Sequence, residues 1–282
     1  MTNGAVDRAP IPFVDGHLHI FPKPLQQAIY AWFARDGWDI AYRDRFETAI
    51  YRQVTRFGGV GAAVLVYAHK PGMAHSLNEW LWKWGQGSAG LQLFGTVHPD
   101  DPDRASEAAM VLDDFGFRGL KIHANVQRTR LNDPRWTPVY ETILERDRCV
   151  VVHAGREPHR NDSVGISYLA DLMTRFPTLR VQVAHLGFDE IEETFDLMDR
   201  YPYLYVDTAA IPGTRLGLSS ECLSHLLRRY PDRVIYGSDL PILEEPFTTH
   251  WWRVWDAAAT HDTRMSVFYH NAMRFWGIPL PS

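Results

Sequence analysis

Residues 13–20 read FVDGHLHI, an apolar, partly β-branched run that ends in two histidines separated by one leucine. In an extended strand, side chains two apart project from the same face. His17 and His19 therefore present two imidazoles side by side. Imidazole is a preferred ligand for zinc and its neighbours, so the pair is either the start of a metal site or an incidental polar strand end. Other strand-like runs end in the same manner. FRGLKIH leads to Lys121 and His123, VVVHAG to His153, VQVAHLG to His185 and VIYGSDLP to Asp239. Five runs that each deliver a hard or borderline ligand at the C-terminal end favour the metal reading.

The elements that must position these residues follow a repeating order. Short β-branched runs fall at 12–15, 62–67, 91–97, 117–122, 149–152, 179–184, 203–207 and 233–238. Segments of helical periodicity fall between and after them, at 75–84, 102–115, 136–147, 166–176, 188–200, 217–230, 247–259 and 262–276. Strand then helix, eight times over, is the pattern of a (β/α)8 TIM barrel, whose active site lies at the C-terminal ends of its strands. A doubly wound open sheet is the rival, but no G-x-G-x-x-G follows the first strand. The first interval is long. Its aromatic and charged stretch YAWFARDGWDIAYRDRF reads as an insertion over the barrel mouth or as a dimer arm. No linker or internal repeat interrupts the series, so residues 1–282 read as one domain.

Composition sets the class of protein and excludes others. With 45% hydrophobic and 22% charged residues, the 282-residue chain is an ordinary globular sequence. A net charge of −5 gives no reason to expect nucleic acid or an anionic membrane as a partner. Cys149 and Cys222 lack C-x-x-C spacing and read as buried thiols of a reducing, cytoplasmic setting. The N-terminal MTNGAVDRAPIP has no apolar core of a signal peptide, and no apolar run is long enough to span a bilayer. Tryptophans cluster in WLWKW (80–84) and WWRVW (251–255), where core or interface packing explains them, including that of a homodimer.

The motifs DGHLH (15–19), FRGLKIH (117–123), VVHAG (151–155), VAHLG (183–187) and YGSDLP (236–241) together resemble the amidohydrolase superfamily. The resemblance is greatest to its amidohydrolase-related branch, which holds 2-amino-3-carboxymuconate-semialdehyde decarboxylase, other non-oxidative decarboxylases, and lactone or amide hydrolases. It implies a distorted (β/α)8 barrel with one or two divalent ions. Carried over position by position, His17, His19, His153 and Asp239 resemble the metal ligands. His185 is similar to a histidine that either orients water or binds a second ion. Lys121, in KIHAN, is similar to a lysine that bridges two ions when carbamylated; as a plain amine it would bind a substrate carboxylate or pair with an acid.

The expected chemistry is hydrolysis of an amide, lactone or related bond of a small molecule by metal-activated water. Asp239 accepts the proton and returns it to the leaving group, and His185 stabilises the oxyanion if it is not a ligand. The alternative is decarboxylation of a small aromatic or muconate-like acid, with Lys121, Arg128, Arg130 or Arg156 as cationic contacts, Arg156 favoured. His69, His98 and His123 are candidate substrate contacts, as is Asn125. Asp15 and Asp207 are expected to orient ligands. His75, His159, His225, His250, His261 and His270 read as surface or helix-packing residues. A His-rich site with one carboxylate suits zinc first, then manganese or iron. A non-catalytic binding barrel and a metal-free lactonase remain the readings from other classes.

Overall fold

Each β-branched run forms a strand because its alternate side chains bury on opposite faces of one sheet. The computed structural model describes residues 8–156, 161–210 and 218–280. The strands are β1 (Phe13–Leu18), β2 (Gly59–Leu65), β3 (Leu91–Gly95), β4 (Gly119–His123), β5 (Cys149–His153), β6 (Arg180–Val183), β7 (Leu204–Asp207) and β8 (Val234–Ile235). They pair in sequence order, every neighbour parallel. The sheet closes through backbone bonds between β1 and the segment after β8. Gly16 N donates to Tyr236 O at 2.8 Å, Asp239 N to His17 O at 2.9 Å and His19 N to Leu240 O at 2.7 Å. Gly237 permits this approach, since a Cβ there would stand 2.7 Å from the Cβ of His17.

The helices are α1 (Lys23–Arg35), α2 (Thr48–Phe57), α3 (Ala74–Gly85), α4 (Arg104–Asp113), α5 (Ala124–Gln127) and α6 (Thr137–Glu145). They continue as α7 (Ile166–Arg175), α8 (Ile191–Arg200), α9 (Ser220–Arg229), α10 (Phe247–Ala257), α11 (His261–Met265) and α12 (Asn271–Trp276). The expected helix at 262–276 is broken: a π-turn at Ser266–His270 separates α11 from α12. The carbonyl of Val267 there accepts from Tyr236 N at 2.8 Å, tying the strand-8 segment to this corner. The long first interval resolves into α2, which packs on β2, and α1 with its following loop. Ala41 N donates to Leu243 O at 2.7 Å, fixing that loop beside the end of strand 8. No helix among the described residues is long and apolar enough to cross a membrane.

Strand alternation decides which residues reach the site. Leu120 and Ile122 of β4, and Val150 and Val152 of β5, belong to the apolar layer shared with the helices. Val151 joins the separate cluster with Leu65, Phe94 and Ile235 that fills the barrel interior. By the same parity, Lys121 and His123 on β4 and His153 on β5 point inward, Lys121 deepest with no exposure at all. In β1 the register against β2 shifts between Asp15 and Leu18. That shift separates Asp15 from the face that carries His17 and His19.

Candidate metal centre

The histidines of the floor are oriented by what their Nδ1 atoms touch. His17 Nδ1 lies 2.9 Å from Asp207 Oδ2, His19 Nδ1 2.8 Å from Leu65 O, and His185 Nδ1 2.9 Å from Ala209 O. Carbonyl and carboxylate oxygens only accept, so each Nδ1 carries the proton and each Nε2 a lone pair. Those lone pairs converge. The Nε2 atoms of His17 and His19 are 3.1 Å apart, and Asp239 Oδ1 stands 3.4 Å from the first and 3.3 Å from the second. Donor atoms of His17, His185 and Asp239 all lie within 4.8 Å of one another. Acceptors packed so closely without a proton between the two nitrogens repel each other, and a divalent cation among them would satisfy all of them. The set therefore fits such an ion.

Electrostatics at the floor point the same way. Burial holds His17 and His185 well below the ordinary imidazole value, so both are neutral at pH 7 and available as ligands. Burial also raises the Asp239 carboxyl, against the opposing hydrogen bond and charge of His19. Lys121 lies fully buried, and its Nζ has no hydrogen-bond partner among the described residues. Burial lowers its pKa to about 8 despite the attraction of Asp207 and Asp239.

Asp207 is the hub that holds this geometry. Its Oδ2 accepts from His17 Nδ1 at 2.9 Å and from Gln182 Nε2 at 2.6 Å; its Oδ1 accepts from His185 N at 2.9 Å and Ala209 N at 3.1 Å. It thus fixes the His17 ring and the backbone at His185. Asp15 acts on backbone instead, accepting from His17 N at 3.1 Å and Ser238 N at 2.9 Å, with burial raising its pKa to about 7. His185 (φ 57°) and Asp239 (φ 70°) hold left-handed backbone conformations. Of the eight described non-glycine residues with positive φ, five line the cavity above this floor: Arg128, His185, Phe188, Ala210 and Asp239. Such concentration of strain marks a site whose geometry the surrounding fold enforces.

The cavity has a volume of about 730 Å³. His19, His153, His185 and Asp239 line its inner end, and α1 supplies one wall through Leu25, Ile29, Trp32 and Phe33. The long insertion therefore lies over the barrel mouth. His153 stacks on His123 with ring centroids 4.2 Å apart, and stands 5.1 Å from His185. His123 Nδ1 accepts from Val126 N at 3.4 Å, and burial keeps the ring neutral, so its proton sits on Nε2. His185 is the reverse. Its Nε2 offers a lone pair, which removes the expected hydrogen bond from His185 to an oxyanion.

Other expected contacts divide. His69 and Asn125 line the cavity. His98 does not: it is buried beneath the rim, its Nδ1 accepting from Asp100 N at 3.2 Å. Arg156 faces away, its Nη2 paired with Glu190 Oε1 at 2.9 Å beside a separate surface depression that also holds Arg130. His250 is fully buried in α10, its Nε2 3.1 Å from Thr208 O, whereas His75, His225 and His261 are exposed and His270 is half-buried. His159 lies outside the described residues. Tyr67, two residues past β2, is not among the expected contacts; its ring meets His19 at 5.5 Å and His123 at 4.7 Å. The aromatic end of AAVLVY carried that signal. Leu65 O, the anchor of His19, is a backbone atom and carries none.

A parallel eight-stranded barrel with inward histidines and an aspartate past its strand ends defines the (β/α)8 barrel class. The family model described as Amidohydrolase matches residues 14–278. The chain belongs to that family, whose members are metal-dependent hydrolases and decarboxylases. Among curated protein sequences none matches the chain. Solved structures do. A TIM-barrel protein from Bordetella bronchiseptica is similar at 15% identity and TM-score 0.75, over 95% of this chain and 99% of that one. A 5-carboxyvanillate decarboxylase from Novosphingobium aromaticivorans, complexed with manganese and 4-hydroxy-3-methoxy-5-nitrobenzoic acid, is similar at 15% identity and TM-score 0.68, over 95% and 97%. A putative 2-pyrone-4,6-dicarboxylic acid hydrolase from Pseudomonas putida is similar at 18% identity and TM-score 0.68, over 95% and 98%.

Proposed function

We propose that the chain hydrolyses an amide, lactone or related C–N or C–O bond of a small molecule at a centre holding one divalent cation. The observation that carries this reading is the convergence of the His17, His19 and His185 lone pairs on Asp239 at the inner end of the cavity. Those four residues would hold the ion, with His153 as a further ligand from β5. When bound, the ion supplies Lewis-acid charge that polarises a carbonyl and lowers the pKa of nearby water from about 16 towards roughly 7. Zinc is the ion we assign, because an imidazole-rich set binds it more tightly than manganese or iron(II).

The chain's own groups then divide the work. Asp239 accepts the proton of the attacking water and passes it to the leaving nitrogen or oxygen. His123 donates its Nε2 proton to the carbonyl oxygen as charge develops there. The Tyr67 hydroxyl, kept protonated by burial, is a second donor in the same wall. Lys121 stays an amine beneath the ligands. Two free cysteines suit a reducing compartment, the cytoplasm.

Decarboxylation is the second reading. It is supported by the likeness to the manganese-containing decarboxylase, and by the raised Asp239 carboxyl, which suits delivery of a proton to carbon as CO2 leaves. The test is metal content per chain together with a panel of lactones, amides and aromatic acids scored for acid release and for CO2. One zinc per chain and acid release without CO2 support hydrolysis; CO2 release supports the second reading. Asp239→Asn is expected to lower turnover by about 100-fold or more, and full activity in that variant would overturn its role. Two ions per chain would indicate a carbamylated Lys121 bridge.

A further inference from the structure

Above its floor the cavity carries cations and, among the described residues, no anion. Asp239, at the inner end, is the one acidic side chain among the described lining residues, whereas Arg35 and Arg128 line the solvent side. Both guanidiniums are exposed, and neither has an ion pair, hydrogen bond or ring contact with a described residue. The chain as a whole is net negative at −5, so this local excess runs against its average. Arg128 holds its place at a cost. It closes α5 in a left-handed conformation (φ 50°, ψ 46°), which glycine adopts without strain and a side chain does not. Arg35 ends α1, next to the aromatic wall of Trp32, Phe33 and Trp38.

We infer that the molecule acted on here is an organic anion with an extended apolar body, whose charged group is held at the cavity mouth by Arg35 and Arg128, away from the bond that reacts. The charged group is a carboxylate, sulfonate or phosphate, and the body lies along the aromatic face of α1. A cavity of about 730 Å³ admits a body larger than a single ring. The inference rests on the floor being the reaction centre proposed above. Arg35 and Arg128 then set specificity without touching the reacting bond.

The test is fluorescence titration of the zinc-loaded full chain with two probes of similar aromatic body. One is the anion 8-anilinonaphthalene-1-sulfonate; the other is the neutral N-phenyl-1-naphthylamine. Affinity for the anion is expected to fall about 10-fold in Arg35→Gln and in Arg128→Gln, and about 100-fold in the double variant. Affinity for the neutral probe is expected to stay within two-fold, and Arg35→Lys and Arg128→Lys to recover most of the loss. Arg52→Gln, an exposed arginine on α2, controls for net charge and should change neither probe. Absence of saturable anion binding, equal losses for both probes, or unchanged anion affinity in the double variant would overturn the inference. Zinc content measured in the same samples separates the two readings. Discrimination by the arginines without bound zinc would sink the proposed centre alone; zinc at full content without discrimination would sink the inference alone.

Discussion

Replacing Asp207 by asparagine should disarm the centre without removing a ligand. The carboxylate accepts four hydrogen bonds, two at each oxygen, at 2.6–3.1 Å. An amide of the same shape has one oxygen. If that oxygen keeps the backbone N–H groups of His185 and Ala209, the new NH2 faces two donors, the Nδ1–H of His17 and the amide of Gln182. The strain is relieved when His17 moves its proton to Nε2, the atom 3.1 Å from His19 Nε2 and 3.4 Å from Asp239 Oδ1. There the proton serves the metal-free protein, because it gives the packed acceptors a donor. It opposes the ion. Loss of such an orienting partner costs about 10–100-fold in metal affinity, or about 1.4–2.7 kcal/mol. Unsatisfied buried donors would add about 1–3 kcal/mol of destabilisation if the tautomer did not change. Calorimetric titration with zinc measures the first quantity, and urea unfolding with and without zinc measures both. The expected signature is a stability loss that is larger with zinc than without. Zinc affinity within two-fold of wild type, or equal losses in the two conditions, would refute the tautomer reasoning.

Other consequences can be measured alongside. Lys121, its pKa lowered to about 8, is charged below that pH and repels a dication, so zinc affinity should rise with pH through about 8 as one proton leaves. In Lys121→Met that rise should vanish and affinity at pH 7 should increase; an unchanged pH profile would remove Lys121 from the electrostatics of the centre. Chelation of a protein saturated at about 100 times its Kd should remove about 2.7 kcal/mol of stability and lower Tm by about 5 °C or more. An identical Tm after verified metal removal would show that the ion does not bind the folded floor. Gly237→Ala forces a Cβ to 2.7 Å from that of His17, so the urea midpoint should drop by an amount equivalent to about 2 kcal/mol, with weaker zinc binding. A neutral outcome would mean that β1 and the strand-8 segment can separate freely.

Much of the site could be read because chemistry and periodicity coincided at strand ends. His17, His19, His153, His185 and Asp239 each follow a β-branched run; strand parity turns His153 inward, whereas the register shift in β1 turns His17 and His19, and left-handed backbone past the strand ends places His185 and Asp239. The same parity placed Lys121 and His123 on one face. What failed had local causes. Arg156 lies three residues past His153, yet a loop residue follows its nearest carboxylate, here Glu190, which is 34 positions away in sequence. His98 looked like a rim residue until the backbone at Asp100 claimed its Nδ1.

The sequence by itself determined the barrel, the strand ends that meet at the cavity, and the residue types gathered there, because burial patterns and side-chain chemistry are local properties. Only the tertiary structure decided which nitrogen of each histidine faces the centre. Those choices depend on Asp207, Leu65 O and Ala209 O, partners up to 190 residues distant. Tertiary packing likewise left the Lys121 amine without a hydrogen bond among the described residues and set two exposed arginines on one cavity. Hydrogen bonds and charges act through space, and the chain reveals their partners only once it has closed on itself.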